Sequence, residues 1–326
     1  MKKVLLAIAA VATITSCSQN EEFENPTQKA EISFNTAAVT RATVMTTQDL
    51  NVFKVYGYTH TDEFSTETEG KSFVEGLFSK NSENKWIAEG GKKFYWPAEN
   101  NVTFFAYSPV EEAVTTYTAP VSKGYPTVDY KVNDVIASQS DFLIAQETGN
   151  ITTNKSGISL GFKHALAQIA FKLKGSEADV NYTVTKLVLK GIKDSGTYNW
   201  GTNEWGIKNG AATPNYTIDM SSGAITFAGE EVTEVLAGND RVLMLIPQKL
   251  DTDVATIDIT YTAVQNEVTL CDGKTAKTVK IPSITWKAGE RVVYTIALTP
   301  GEEISISGKV NDAGWADRDP QPDEIE

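Results

Sequence analysis

The residues Gly157-Ile158-Ser159-Leu160-Gly161 fit the G-x-S-x-G spacing that can present a serine hydroxyl as a nucleophile, and His164 lies just beyond them. That chemistry needs a strand–turn–helix context and a histidine well downstream in the fold. Here apolar and polar residues simply alternate around Ser159, so the match reads as chance within a strand. His60 and His164 are the only histidines and no C-x-x-C occurs, which excludes a His-rich zinc site. Asp312, Asp317, Asp319, Asp323, Glu324 and Glu326 lack the spacing of a calcium loop and read as a solvated tail. Trp200 and Trp205, set among glycines, could form a platform for stacking sugars; aromatics in a β-sandwich more often fill the core. No catalytic residue, metal site or cofactor is assigned, and the chain is read as a non-enzyme.

Two other residues carry covalent chemistry. Cys17 ends the run Ile14-Thr15-Ser16-Cys17, behind Lys2, Lys3 and the apolar stretch 4–15, which is too short to span a bilayer. Small residues before the cysteine fit a lipobox, in which the thiol takes a diacylglyceryl thioether. Each buried CH₂ of the acyl chains contributes about 0.8 kcal/mol to anchoring. Residues 1–17 are therefore read as a lipoprotein signal peptide, and 18–29 as a polar, acidic tether that could also serve as a surface-export signal. With Cys17 lipidated, Cys271 has no partner for a disulfide and reads as a core or loop thiol. The second residue is Arg41, which with Ala42 forms a bond open to an Arg-specific or trypsin-like protease.

The elements around them read as β. The 326 residues are 41% hydrophobic, enough for two domains with a sizeable core. A formal charge of −13 argues against nucleic acid, whose phosphates need clustered Lys and Arg. Residues 51–58 alternate and are aromatic-rich, 59–71 form a loop, and 94–97, 102–107, 141–145 and 158–164 are strands. The alanines of 165–173 favour a helix, but Ile169, Phe171 and Leu173 alternate with Ala170 and Lys172, which favours a strand. Further strands are expected at 184–189, 216–220, 224–227, 241–246, 255–262, 278–281 and 291–298. Short strands at this spacing predict two β-sandwich domains, 30–175 and 176–302, followed by a terminal segment 303–326.

The first strand, 31–36, places Ile32 and Phe34 on one face and Glu31, Ser33 and Asn35 on the other, the pattern of a half-buried edge strand. It precedes Arg41 and reads as built to be removed. Near the other end, Glu303-Ile304-Ser305-Ile306-Ser307 repeats the pattern of Glu31-Ile32-Ser33-Phe34-Asn35. Extended, it sets Ile304, Ile306, Gly308 and Val310 on one face.

The chain resembles the fimbrillins, the type V pilins of anaerobic Gram-negative bacteria, from Cys17 to its C-terminus. The resemblance is carried by EISFN (31–35) with Thr40-Arg41-Ala42, DFLIAQ (141–146) and FKHALAQIAFKL (162–173). LIPQKL (245–250), WKAGERVVYTIAL (286–298) and ISGKVNDAGWADRD (306–319) complete it. It implies an all-β protein of two tandem transthyretin-like sandwiches, exported to the outer membrane as a lipid-anchored precursor. It further implies cleavage after Arg41, loss of the strand bearing Ile32 and Phe34, and polymerisation with copies of itself and other pilin subunits. The donor would be residues 303–310, with Ile304, Ile306 and Val310 as the inserting side chains. Such β-augmentation is physically reasonable: each lost apolar side chain uncovers about 1.5–3 kcal/mol of burial, and each orphaned ladder bond about 1 kcal/mol.

The competing reading is a surface lipoprotein that binds a glycan or host protein and never polymerises. Such a protein needs neither a cleavable first strand nor a donor-like tail. Within the pilin reading, a tail able to donate favours a stalk subunit over a tip, and an exposed Arg41 argues against an anchor that stays lipidated.

Overall fold

The computed structural model describes residues 30–37, 50–229, 232–235, 243–251, 254–301 and 304–311. Cys17, Arg41, Ala42 and the acidic tail lie outside these residues. The described chain is β throughout, apart from two single-turn 3₁₀ helices at Glu89–Gly91 and Ile136–Ser138.

The N-terminal half is organised on a six-stranded antiparallel sheet. Its order is Lys163–His164, Leu143–Gly149, Asn101–Ser108, Val52–His60, Lys71–Lys80, Trp86–Ala88. Aromatic and β-branched residues at period two make these strands, and the sheet is covered on both sides. In Asn101–Ser108 every residue after the first is buried. Val102, Phe104 and Ala106 enter one core with Phe53, Val55, Val74 and Phe78, whereas Phe105 and Tyr107 enter the other.

That second core is closed by a four-stranded sheet in the order Glu204–Ile207, Ser195–Asn199, Thr127–Lys131, Thr115–Thr118. These strands are rich in Gly, Asn and Thr, and sequence periodicity missed them. The hydrogen bonding of Thr127–Lys131 to Ser195–Asn199 joins chain on either side of Gly175. Trp200 is only 1% exposed and meets Phe105 edge-on at a ring distance of 5.6 Å. Trp200 is therefore core, the role that aromatics of a β-sandwich more often take, and it is positioned by the aromatic sheet beneath it.

The residues 165–173, where helix and strand competed, form the strand Ala167–Gly175. It pairs in parallel with Arg291–Leu298 and antiparallel with Leu243–Leu245 and Thr233–Glu234. Opposite lies a sheet built on Asn181–Lys190 and Thr256–Gln265, which pair antiparallel. Ile169, Phe171, Leu173, Val292, Tyr294 and Ile296 fill the space between with Tyr182, Val184, Leu187, Ile257, Ile259 and Tyr261. Two neighbouring strands that both read as apolar alternations gain more from burying these faces together than an alanine-rich helix would from propensity.

The chain passes from the first sheet to this one between His164 and Ala167. At the crossing, His164 Nδ1 and the Asp141 carboxylate lie 2.5 Å apart, with the Asp141 side chain wholly buried. Burial pushes the Asp141 carboxyl above the usual carboxylate range, and the His164 bond opposes that shift. His164 is thus tied to a structural carboxylate, and Ser159 lies in the regular strand Ile158–Gly161, exposed and without the turn that a nucleophile elbow needs. Cys271 is half-buried in Val268–Asp272, its thiol within 3.4 Å of the Tyr261 carbonyl.

Candidate functional site

Residues 30–37 lie over the aromatic core of the six-stranded sheet. Ile32 and Phe34 are each 4% exposed, and Glu31, Ser33 and Asn35 face out, as the alternation predicts. The Phe34 ring sits edge-on to three others, with ring distances of 4.9 Å to Phe78, 5.3 Å to Phe104 and 5.8 Å to Phe53. Interplanar angles of 85°, 89° and 88° make each contact a T-shaped pair, the arrangement in which the positive edge of one ring meets the negative face of the other. Ile32 joins the same cluster, beside Trp96, Ile158, Leu160 and Phe162.

The backbone adds to this reading: residues 30–32 bond on one side of the segment and residues 33–37 on the other. On one side Ile32 donates to the Phe94 carbonyl at 2.8 Å, and Trp96 donates to the Ala30 carbonyl at 2.9 Å. On the other, Ile158 donates to the Ser33 carbonyl at 2.9 Å and begins a parallel ladder. That ladder sets Phe34 opposite Ile158, Asn35 opposite Ser159, Thr36 opposite Leu160 and Ala37 opposite Gly161. Alternate residues along a strand bond to opposite sides, so the chain fills a slot between segments 94–96 and 158–161. Sequence alone could not reveal this, since a parallel pairing between residues over a hundred positions apart leaves no local mark. An exposed ion pair of Lys93 with Glu31, 2.8 Å, adds little at the rim.

Gly157 makes the slot possible. Its φ is +119°, a region that glycine alone enters freely. A Cβ there would meet Ser33 Oγ at 2.8 Å and Asn35 Nδ2 at 3.1 Å. Emptying the slot would uncover Phe53, Phe78 and Phe104 and leave the strand Ile158–Gly161 and the backbone of 94–96 without these hydrogen-bond partners.

The second predicted strand, Ser305–Asn311, lies antiparallel to Arg291–Leu298 and is the outermost strand of its sheet among the described residues. Ile306 stands opposite Ile296, and Val310 opposite Val292. Ile304 is buried and Ile306 half-buried against the large core. The structure therefore places Ile32 with Phe34 in one sheet layer and the Ile304–Val310 segment in another, each as a strand docked on its own chain. A Cβ on Gly308 would lie 2.7 Å from the Tyr294 ring, so this strand also approaches its neighbour through a glycine.

The sequence and the fold match known proteins. The fimbrillin-like family profile matches residues 40–312. The fimbrium subunit Fim1C of Phocaeicola vulgatus is 26% identical, with 97% of each chain aligned. A fimbrial protein of Bacteroides vulgatus of known crystal structure shares the fold, with a TM-score of 0.69 at 18% identity over 88% of this chain and 99% of that one. Because that profile spans most of the sequence, this all-β chain belongs to the fimbrillin-like family, which comprises fimbrial structural and adhesion proteins and not enzymes.

Proposed function

We propose that this chain is a pilus subunit made as an outer-membrane lipoprotein precursor, lipidated at Cys17 and cut between Arg41 and Ala42. The cut frees the strand holding Ile32 and Phe34, and a neighbouring subunit's strand takes the slot. In this reading the region 30–175 accepts and the region 176–302 carries the donor, residues 303–310, with Ile304, Ile306 and Val310 as the inserting residues. The observation that carries it is the slot itself: two apolar side chains and two rows of backbone bonds hold residues 30–37, a constellation that another alternating strand could satisfy. The pairing of Ser305–Asn311 with Arg291–Leu298 then requires the donor to leave its own sheet before it enters another. A wide aromatic slot left empty would aggregate, so the uncut strand also protects the precursor.

Brief trypsin treatment of the purified chain lacking residues 1–17, read by intact mass and by SDS-resistant ladders, tests this. The expected result is loss of the residues through Arg41 and laddering, both abolished by Arg41→Ala. Truncation before Glu303 should permit the cut and block the ladder. Cutting at Arg41 without assembly under permissive conditions would overturn the reading.

A further inference from the structure

A cleft of about 550 Å³ opens between the hairpin tip at 202–205 and the segments 247–249 and 285–288. Its volume lies within the range of small-ligand sites. Trp205 lines it half-buried, and Thr202, Asn203, Glu204, Gln248, Lys249, Thr285 and Lys287 provide polar groups around it. We infer that this cleft binds carbohydrate, with a pyranose ring packed on Trp205 and its hydroxyls bonded to the polar rim.

The state of Trp205 carries the inference. Its indole N–H is already donated to the Ala165 carbonyl at 2.5 Å, so what it offers the cleft is ring carbon. The ring is locked by Tyr198, edge-on at 5.6 Å, and by Phe142 at 5.8 Å, and a Cβ on Gly196 would lie 2.9 Å from it. An apolar aromatic surface fixed in place and surrounded by donors and acceptors suits the C–H face of a sugar. It suits an acyl chain poorly, because the rim is polar.

The walls are equally fixed. Asn203 takes the left-handed φ of 58° at the hairpin tip, and its side chain accepts the Tyr198 hydroxyl at 3.1 Å. Gln248 has its amide bonded to the backbone of Lys193 and Ile246, and its own carbonyl accepts the Trp286 N–H at 3.0 Å. Little ordering is then required on binding, the condition under which a small ligand gains most. Thr202, Glu204 and Thr285 are exposed on the rim and can turn toward hydroxyls, and exposed Lys287 can add a donor beside its long ion pair. Lys287 and Lys249 keep carboxylate partners, Glu290 at 3.5 Å and Asp251 at 2.8 Å, so the rim is close to neutral. The site is separate from the strand slot and does not depend on assembly.

Saturation-transfer NMR with lactose, N-acetyllactosamine and sialyllactose on the purified chain tests the inference, with 5-fluorotryptophan reporting on Trp205. Transfer to at least one of the three sugars is expected, together with a shift of the Trp205 fluorine signal. Ala288→Trp, an exposed position whose new side chain would fill the cleft, should abolish both while leaving the unfolding midpoint unchanged. Lys287→Ala should weaken binding without affecting the fold. Absence of transfer to all three sugars would overturn the inference, as would transfer that Ala288→Trp retains.

Discussion

Gly157 and Ser33 touch at a point where no side chain fits: the glycine's φ is +119°, and a Cβ would sit 2.8 Å from the serine Oγ. The strand that the chain presents first is thereby held against a strand more than a hundred residues later. Gly157→Ala must meet both the backbone strain and the crowding. It is expected to destabilise the intact chain by about 1–3 kcal/mol. In a chain trimmed of residues 1–41 only the strain remains, so the cost should fall. Urea unfolding of both forms measures the difference, and equal costs would show that Ser33 contributes nothing.

Phe34 anchors the same strand through three edge-on ring contacts. Phe34→Ala should cost about 3–5 kcal/mol, the range for a buried phenylalanine. Asn35→Ala, on the exposed face, should stay within about 0.5 kcal/mol. Hydrogen exchange should show the Phe34 variant opening at 30–37 and 158–161 before the rest of the sheet.

At the opposite end of the described chain, Gly308 lies against the ring of buried Tyr294. Gly308→Val is expected to lift Ser305–Asn311 from Arg291–Leu298 while the strands behind it stay protected. Faster amide exchange confined to 305–311 would be the signature. If assembly needs this strand to leave its own sheet, the same variant should ladder faster after trypsin treatment.

Alkali offers a test of the second core. Tyr56 and Tyr117 stack with ring centres 3.6 Å apart, and the hydroxyls of Tyr58 and Tyr117 lie 2.8 Å apart. Burial raises all of these phenols, Tyr56 to about 12, and raises neighbouring Tyr107 as well. Unfolded tyrosines ionise near pH 10. Because the folded values are higher, the stability from keeping these groups protonated is complete below about pH 10 and is lost as pH rises toward the folded values. Phenolate absorbance from these buried tyrosines and loss of β circular dichroism should therefore rise together in one cooperative step above pH 10, separate from the titration of exposed phenols. A broad phenolate titration with the fold intact would contradict the packing described here.

Much of this was already fixed by residue order. Ile32 and Phe34 alternate with Glu31, Ser33 and Asn35 because a strand with one wet face must, and they are buried as that pattern requires. The β identity of 167–175 follows from Ile169, Phe171 and Leu173, and the ordered set of motifs from EISFN to ISGKVNDAGWADRD sufficed for the family. Alternation is a local property, so the chain records it locally. The partners of these strands are not local. Only the tertiary structure decided that residues 30–37 fill a slot between 94–96 and 158–161, and that Gly157 exists to let Ser33 approach. It alone placed Trp200 in the core while leaving Trp205 at a cleft, although both sit among the same glycines. Those outcomes depend on which faces the packed sheets leave room to cover, and no stretch of sequence contains that space.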